Sequence, residues 1–174
     1  KRAIGCLKET TKLINDMNPI PLENQDKRIL EHTLKEFIIA ASHNTYLPCY
    51  QNIDIANKLA IRNALLLGSR VIELDLYINK KNSEPIVLHG SEGKTIKSDI
   101  YTTSAINFEE ACIEINNTAF KKTTDPLIIT LELNTHKNID TNNKIAFILK
   151  KIFGDKLLKQ DKTRLIGDYK LKEL

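Results

Sequence analysis

Six side chains in this sequence are of types that can ligate a metal or move a proton, and each lies at or near the end of a short apolar run. "FIIAASHNTYLP" (Phe37–Pro48) leads into His43 and Asn44, and "RVIELDLYI" (Arg70–Ile78) carries Glu73 and Asp75. "PIVLHG" (Pro85–Gly90) closes with His89, and "PLIITLEL" (Pro126–Leu133) carries Glu132. Residues i and i+2 of a strand share a face, so Glu73 and Asp75 project together while Leu74 turns to the other side. Two adjacent carboxylates repel each other and resist burial; a divalent cation offsets both effects. The flanks Val71, Ile72, Leu74 and Leu76 argue against a fully solvated strand. Asn44, Glu73, Asp75 and Glu132 offer only oxygen, which favours a hard ion, calcium or magnesium, over zinc.

Taken singly, His43 and His89 could each be a satisfied core imidazole. Paired around a cation site they suit phosphate chemistry. One can donate to an equatorial oxygen as charge develops there, and the other can pass a proton to or from an ester oxygen near neutral pH. His32 and His136 lack this context, and His136, in "ELNTHKN", reads as a loop residue.

The elements that must position these groups are legible in outline. The four runs are short, apolar or β-branched, and bounded by Gly, Pro, Asn or Asp, as strands are; the first strand is expected over Phe37–Ser42. Helices fall between most of them. "IANKLAIRNALLLGS" places Ala56, Leu59, Ala60, Asn63 and Leu66 near one stripe, with Gly68 ending it. "NFEEACIEINNTAF" opens at Asn107 with Glu110 three residues on, a capping-box spacing, and sets Phe108, Ala111, Cys112, Ile115 and Ala119 at helical intervals. "NNKIAFILKKIFG" repeats the pattern with Ile145, Ile148, Leu149, Ile152 and Phe153, closed by Gly154. Strand–helix–strand alternation predicts an α/β fold with a parallel sheet, and in such folds chemistry collects at the carboxyl ends of strands. Between Tyr77 and Pro85 there is no room for a helical crossover, which takes roughly ten residues or more. The chain there either turns as a hairpin or returns as an extended segment; we take the second. Residues 1–18 read as helical, Pro19 and Pro21 break that pattern, and Asn18–Glu31 reads as a linker or an entry loop. The domain organisation is therefore an N-terminal helix and linker over residues 1–30 and one domain over 31–174.

Composition narrows the classes. The chain has 174 residues, one ordinary domain or a piece of a larger protein, and its 41% apolar and 28% charged residues support a core rather than disorder. Net charge is +4 with both signs interspersed, and neither a Lys/Arg block nor aromatics between basic residues appear, so a nucleic-acid partner is not expected. Such a surface suits an anionic membrane. Cys6, Cys49 and Cys112 form no Cys-x-x-Cys pair, which argues against a zinc site or a disulfide framework and for reduced thiols in the cytoplasm. No apolar run approaches the ~18 residues of a membrane span, and no signal peptide is visible.

"ASHNTYL", "GSRVIELDLY", "PIVLHG" and "PLIITLELNTH", in this order and spacing, resemble the X region of eukaryotic-type phosphoinositide-specific phospholipase C, from about Leu30 to the C-terminus. The resemblance implies a TIM-type (β/α) barrel of which this chain is the first half, with about four parallel strands. It implies a calcium ion held by Asn44, Glu73, Asp75 and Glu132, with His43 and His89 flanking the scissile phosphate. The implied reaction is attack of the inositol 2-hydroxyl on phosphorus, departure of diacylglycerol, and hydrolysis of the resulting cyclic inositol phosphate. His43 would stabilise the pentacoordinate transition state, and His89 would protonate the glycerol oxygen and then act as base on water. Either Glu132 or Glu73 would take the hydroxyl proton. The implied partners are a membrane phosphoinositide and the second (Y) half of the barrel, and the implied setting is the cytoplasm, peripheral at the membrane. The family usually reads Glu-Asn-His after the fourth strand, whereas this chain has Glu-Leu-Asn-Thr-His, so the positions after Glu132 are unassigned.

Two other readings remain. A glycerophosphodiester phosphodiesterase also pairs such histidines with Glu-x-Asp, but prefers His-Arg-Gly where His43-Asn44-Thr45 stands. A catalytically inactive docking domain of the same fold would commonly have lost a histidine or a metal ligand, and all six positions are present. Bacterial-type, metal-independent phospholipases place an arginine where Asp75 stands.

Overall fold

The computed structural model describes residues 12–14, 26–48, 55–79, 81–90, 105–135 and 138–174. Its centre is β2 (Val71–Ile78), whose Ile72, Leu74 and Leu76 are fully buried on one face. β1 (Ala41–Ser42) and β5 (Ile128–Leu133) both run parallel to it. The β2–β5 ladder is the longest, pairing Ile72 with Ile129, Leu74 with Leu131 and Asp75 with Glu132. β1 pairs with the start of β2 and β3 (Pro85–Val87) with its end, and the short β4 (Ile106–Asn107) pairs with β3.

Two expectations about strands are corrected. β3 is antiparallel to β2, with Leu76 opposite Val87 and Ile78 opposite Pro85, so the link is a hairpin and not an extended return. The reason is local: the Asn79 N–H donates to the Glu84 carbonyl (2.9 Å), the Asn79 side chain accepts from Lys81 N–H (3.0 Å), and Ser83 takes a left-handed φ of 55°. Asx turns of this kind reverse a chain within a few residues. The parallel strands are thus β1, β2 and β5. The first strand is also shorter than expected, because Phe37–Ala40 stays outside any ladder apart from two N–H groups, of Arg70 and Val71, that donate to the Ala40 carbonyl.

Among the described residues, three helices cover the outer face. α1 (Lys58–Leu66) starts where the Asn57 side chain accepts from Leu59 N–H. It ends in a Schellman motif, with Ser69 N–H donating to Ala64 O (3.0 Å) and Gly68 N–H to Leu65 O (3.1 Å). That motif needs the left-handed φ of 100° that Gly68 supplies. Of the expected stripe Ala60, Asn63 and Leu66 are buried and Ala56 packs against the core, and Ile61 and Leu65 widen the buried face beside them. α1 is apolar on most of its circumference, so periodicity alone does not select a face. α2 (Phe108–Thr118) is capped by Asn107, which accepts from Glu109 and Glu110 N–H. Glu110 does not complete a capping box; it reaches Lys58 on α1 (2.9 Å) instead. All five predicted apolar positions on α2 are buried. α3 (Ile139–Phe153) buries Ile145, Ile148 and Phe153, with Leu149 and Ile152 packed against the same core.

The expected N-terminal helix is described only at residues 12–14, which are helical; the rest of it and residues 15–25 lie outside the described residues, as do Cys6 and Cys49. Lys27–Glu31 forms a 3-10 turn capped by Asp26, and it is clasped by the C-terminal segment. Glu31 pairs with Lys170 (3.0 Å) and Lys172 (2.6 Å), Leu34 N–H donates to Tyr169 O (2.9 Å), and Leu171 N–H donates to His32 O (3.1 Å).

At the amino end of β2, the buried Arg70 ties two helix ends together. Its guanidinium donates to Ala119 O at the close of α2 (2.8 Å), Leu65 O in the last turn of α1 (3.4 Å) and Ser69 O (2.9 Å). A cation there complements both helix dipoles. Arg70→Met is expected to cost about 3 kcal/mol of stability, the scale of losing charged donors to buried carbonyls, and Arg70→Lys to recover only part, because one ammonium cannot span the three acceptors. Urea unfolding followed by circular dichroism checks both.

Candidate active site

The loop after β1 owes its shape to Asn44 and Thr45. Asn44 adopts a left-handed φ of 47°, which Asn tolerates better than most residues. Thr45 then continues the pairing with β2 where β1 stops. Its N–H donates to Glu73 O (3.1 Å), its hydroxyl accepts from Glu73 N–H (3.1 Å), and the same hydroxyl donates to Ser42 O (2.9 Å). This turn leaves the His43 side chain 73% exposed and sets Nε2 3.4 Å from Glu73 Oε2. Asn44 is buried, and its backbone N–H donates to the same Glu73 oxygen (3.1 Å).

The carboxylates meet through strand register. Asp75 lies opposite Glu132 on the neighbouring strand, and Glu73 projects two residues earlier on the same face. One oxygen from each of Glu73, Asp75 and Glu132 falls within 4.8 Å of the others. Asp75 is 5% exposed. Its Oδ2 lies 2.9 Å from the Tyr46 hydroxyl, while Oδ1 is buried without a hydrogen-bond partner. Burial raises the Asp75 pKa, and the nearby Glu132 and Glu73 charges add to the rise against the opposing hydrogen bond from Tyr46. Burial and the Asp75 carboxylate likewise push the Tyr46 phenol upward, so it stays protonated. A buried, acceptor-only oxygen with no donor, beside two more carboxylates, is the environment a hard divalent cation satisfies.

The hairpin delivers His89. Because β3 doubles back, Leu88 N–H reaches Asp75 O (3.3 Å), and His89 Nδ1 stands 3.7 Å from Asp75 Oδ2. The next residue has no room for a side chain. A Cβ on Gly90 would lie 2.7 Å from the hydroxyl of the buried Tyr77, which shares a strand face with Glu73 and Asp75.

The structure therefore gathers His43, Asn44, Glu73, Asp75, His89 and Glu132 at the carboxyl end of β2. His32 lies elsewhere, hydrogen-bonded to Glu36 (3.2 Å), and His136 lies outside the described residues. Three participants were not anticipated: Thr45, Tyr46 and Asn134, whose side-chain amide donates to Glu132 Oε1 (3.0 Å). Tyr46 could have been found, since a buried tyrosine needs a partner for its hydroxyl and this one follows Asn44 by two residues.

Parallel strands backed by helices, with acids and imidazoles at the strand carboxyl ends, form part of a TIM-type α/β barrel. The family profile described as "Phosphatidylinositol-specific phospholipase C, X domain" matches residues 30–174, and the chain belongs to that family. Among curated proteins it is 36% identical over 142 residues to human "1-phosphatidylinositol 4,5-bisphosphate phosphodiesterase beta-2", an alignment covering 77% of this chain and 11% of that protein. The human eta-1 protein of the same designation is 36% identical over 138 residues, covering 79% of this chain and 7% of that one. The chain thus spans about a tenth or less of these relatives' length. Among solved structures, L. pealei PLC21 superposes with a TM-score of 0.65 at 27% identity, covering 79% of this chain and 16% of that one.

Folded Asp75 holds its proton more tightly than the unfolded chain does. The cation-free protein is therefore expected to lose stability as pH rises from about 4, the ordinary aspartate value, through the raised native pKa, and to level off above it. Asp75→Asn removes that loss. In chelator at pH 7 the variant should melt at a higher temperature than the parent, and the difference should shrink toward zero below about pH 4. Thermal melts across this range check it; a variant less stable than the parent at pH 7 contradicts it.

Proposed function

We propose that this chain carries the catalytic first half of a phosphoinositide phospholipase C, which cleaves the phosphodiester on its glycerol side. The observation that carries the reading is the three-carboxylate cluster of Glu73, Asp75 and Glu132 flanked by His43 and His89. The substrate class follows from the designations of the relatives, 1-phosphatidylinositol 4,5-bisphosphate phosphodiesterases.

Asn44, Glu73, Asp75 and Glu132 would hold calcium, which when bound supplies positive charge that acidifies the attacking hydroxyl and offsets the phosphoryl charge. His43, exposed at the rim, donates to an equatorial phosphoryl oxygen as the pentacoordinate state forms. His89 uses the ring nitrogen turned away from Asp75 to protonate the departing glycerol oxygen. In the second step the same nitrogen takes a proton from the water that opens the cyclic phosphate. Glu132 is the more exposed of the candidate bases and has Oε1 occupied by Asn134, so its second oxygen is the better placed to receive the inositol hydroxyl proton. Glu73 instead has Oε2 engaged by the Asn44 N–H and close to His43.

The second barrel half is the partner this reading requires. Among the described residues, β5 pairs with β2 alone. Ile38, beside the unpaired part of the first strand, is fully exposed, and Ile139 and Phe147 on α3 are also exposed. Further strands and helices of the same barrel would cover these groups and wall the site. The setting we propose is the cytoplasmic face of a membrane; no helix among the described residues is long and apolar enough to cross one.

The test uses the intact protein and vesicles containing phosphatidylinositol 4,5-bisphosphate. Inositol phosphate release should vanish with chelator and return with calcium. His89→Gln should lower turnover by about 10²- to 10⁴-fold, the range for a lost general acid or base, and His43→Gln by about 10²- to 10³-fold, the range for a lost transition-state donor. Glycerol phosphate release, or lipid binding without turnover by the unaltered protein, would overturn the reading.

A further inference from the structure

Tyr46 is fully buried, and its hydroxyl oxygen stands 2.9 Å from Asn44 Oδ1 and 2.9 Å from Asp75 Oδ2. A phenol has a single hydrogen to donate, and an ionised carboxylate can only accept. The hydrogen therefore goes to Asp75 when that group is ionised. With Asn44 Oδ1 facing the phenol, the second contact is then satisfied only if the amide turns over and presents its NH2 to the phenol oxygen. That orientation directs the amide carbonyl oxygen away from Tyr46 and leaves it without a role in this pair of contacts.

We propose that Tyr46 is a positioning residue for the cation site, fixing which end of the Asn44 amide and which oxygen of Asp75 remain available to a divalent ion. Three features support it. First, the two groups it bridges come from different elements, the loop after β1 and the middle of β2, so one rigid ring sets their separation. Second, while Asp75 Oδ2 is engaged by Tyr46, Oδ1 is the buried oxygen with no partner; the phenol thus occupies one side of the carboxylate and leaves the other for the ion. Third, the backbone on either side is held: Leu47 N–H donates to Asn44 O (2.8 Å), and Asn57 N–H donates to Tyr46 O (2.8 Å). The ring therefore cannot follow if the amide moves. Hydrogen-bond partners of metal ligands typically change affinity by about 10- to 100-fold when removed.

The inference rests on the cation site described above, and the test separates the two. Calcium binding to the intact protein and to its Tyr46→Phe variant is measured by titration calorimetry, with thermal melts of both in chelator. The variant keeps the ring and removes the hydroxyl. The expected result is a calcium Kd raised about tenfold, with a melting midpoint in chelator within about 5 °C of the parent. A purely structural hydroxyl would lower the melting midpoint and leave the Kd of the folded protein unchanged; that outcome overturns the proposal. So does a variant that fails to fold, since the hydroxyl would then serve the fold. Absence of calcium binding by the unaltered protein would instead remove the cation site itself. As a second measurement, Tyr46→Phe should raise the Kd by less than twofold in an Asn44→Ala, Asp75→Asn background, where the groups it orients are already gone; an undiminished effect there also overturns the proposal.

Discussion

The pairing of Asp75 with Glu132 is the constraint on which the rest of the site depends. Like charges directly opposite on neighbouring strands are destabilising, so the ladder must be held in register by something other than these two residues. The other face of the same strands does this. Ile72 faces Ile129 and Leu74 faces Leu131, beneath α2 and α3. A slip of one residue would turn the carboxylates into that core and the leucines out of it. The outer, apolar face fixes the alignment, and the inner, acidic face inherits it.

Neither histidine nor Asn44 belongs to a regular strand, yet each reaches the cluster through a specific local device. Thr45 extends the β1–β2 pairing by one side-chain step and so aims His43 at Glu73. The Asn79–Glu84 turn reverses the chain so that His89 returns to the level of Asp75. Tyr46 joins Asn44 to Asp75 from beneath. A turn, a hairpin and a buried phenol thus converge on one strand, and each uses hydrogen bonds to atoms of Glu73 or Asp75 or to their immediate surroundings.

The sequence displayed what depends on short-range periodicity. The i, i+2 relation of Glu73 and Asp75, the apolar rows of α2 and α3, the Asn107 cap and the Gly68 and Gly154 helix ends are all written in neighbouring residues. What it concealed depends on choices between local options. The link after Tyr77 was compatible with two directions, and side-chain hydrogen bonds of Asn79 decided between them. The face of α1 was legible only in part: Ala60, Asn63 and Leu66 are buried as their spacing suggests, but the apolar residues surround the helix, and packing adds Ile61 and Leu65 to the buried face. The strand over Phe37–Ala40 has the right composition but little to pair with, since a ladder needs a neighbour as well as propensity. The role of Tyr46 was hidden because its meaning comes from an aspartate 29 residues away.

The two faces of the sheet are in different states of completion, and this bears on how the site works. The outer face buries Ile72, Leu74 and Leu76 of β2 completely beneath the helices, and leaves Leu133 exposed only at the end of β5. The inner face is open: Thr130 and Glu132 are exposed, and Val71 and Ile128, which share their side of the sheet, are only partly buried. Electrostatic effects strengthen as water is excluded, so groups fixed in place on an open face act weakly until walls surround them. Asp75 and Tyr77, both buried on this side, are the exceptions, and burial is the first cause of the raised Asp75 pKa. The arrangement separates two tasks that one half of a barrel cannot perform together. The described residues place the reactive groups, and the elements that cover β5 and the first strand would set the dielectric in which those groups operate.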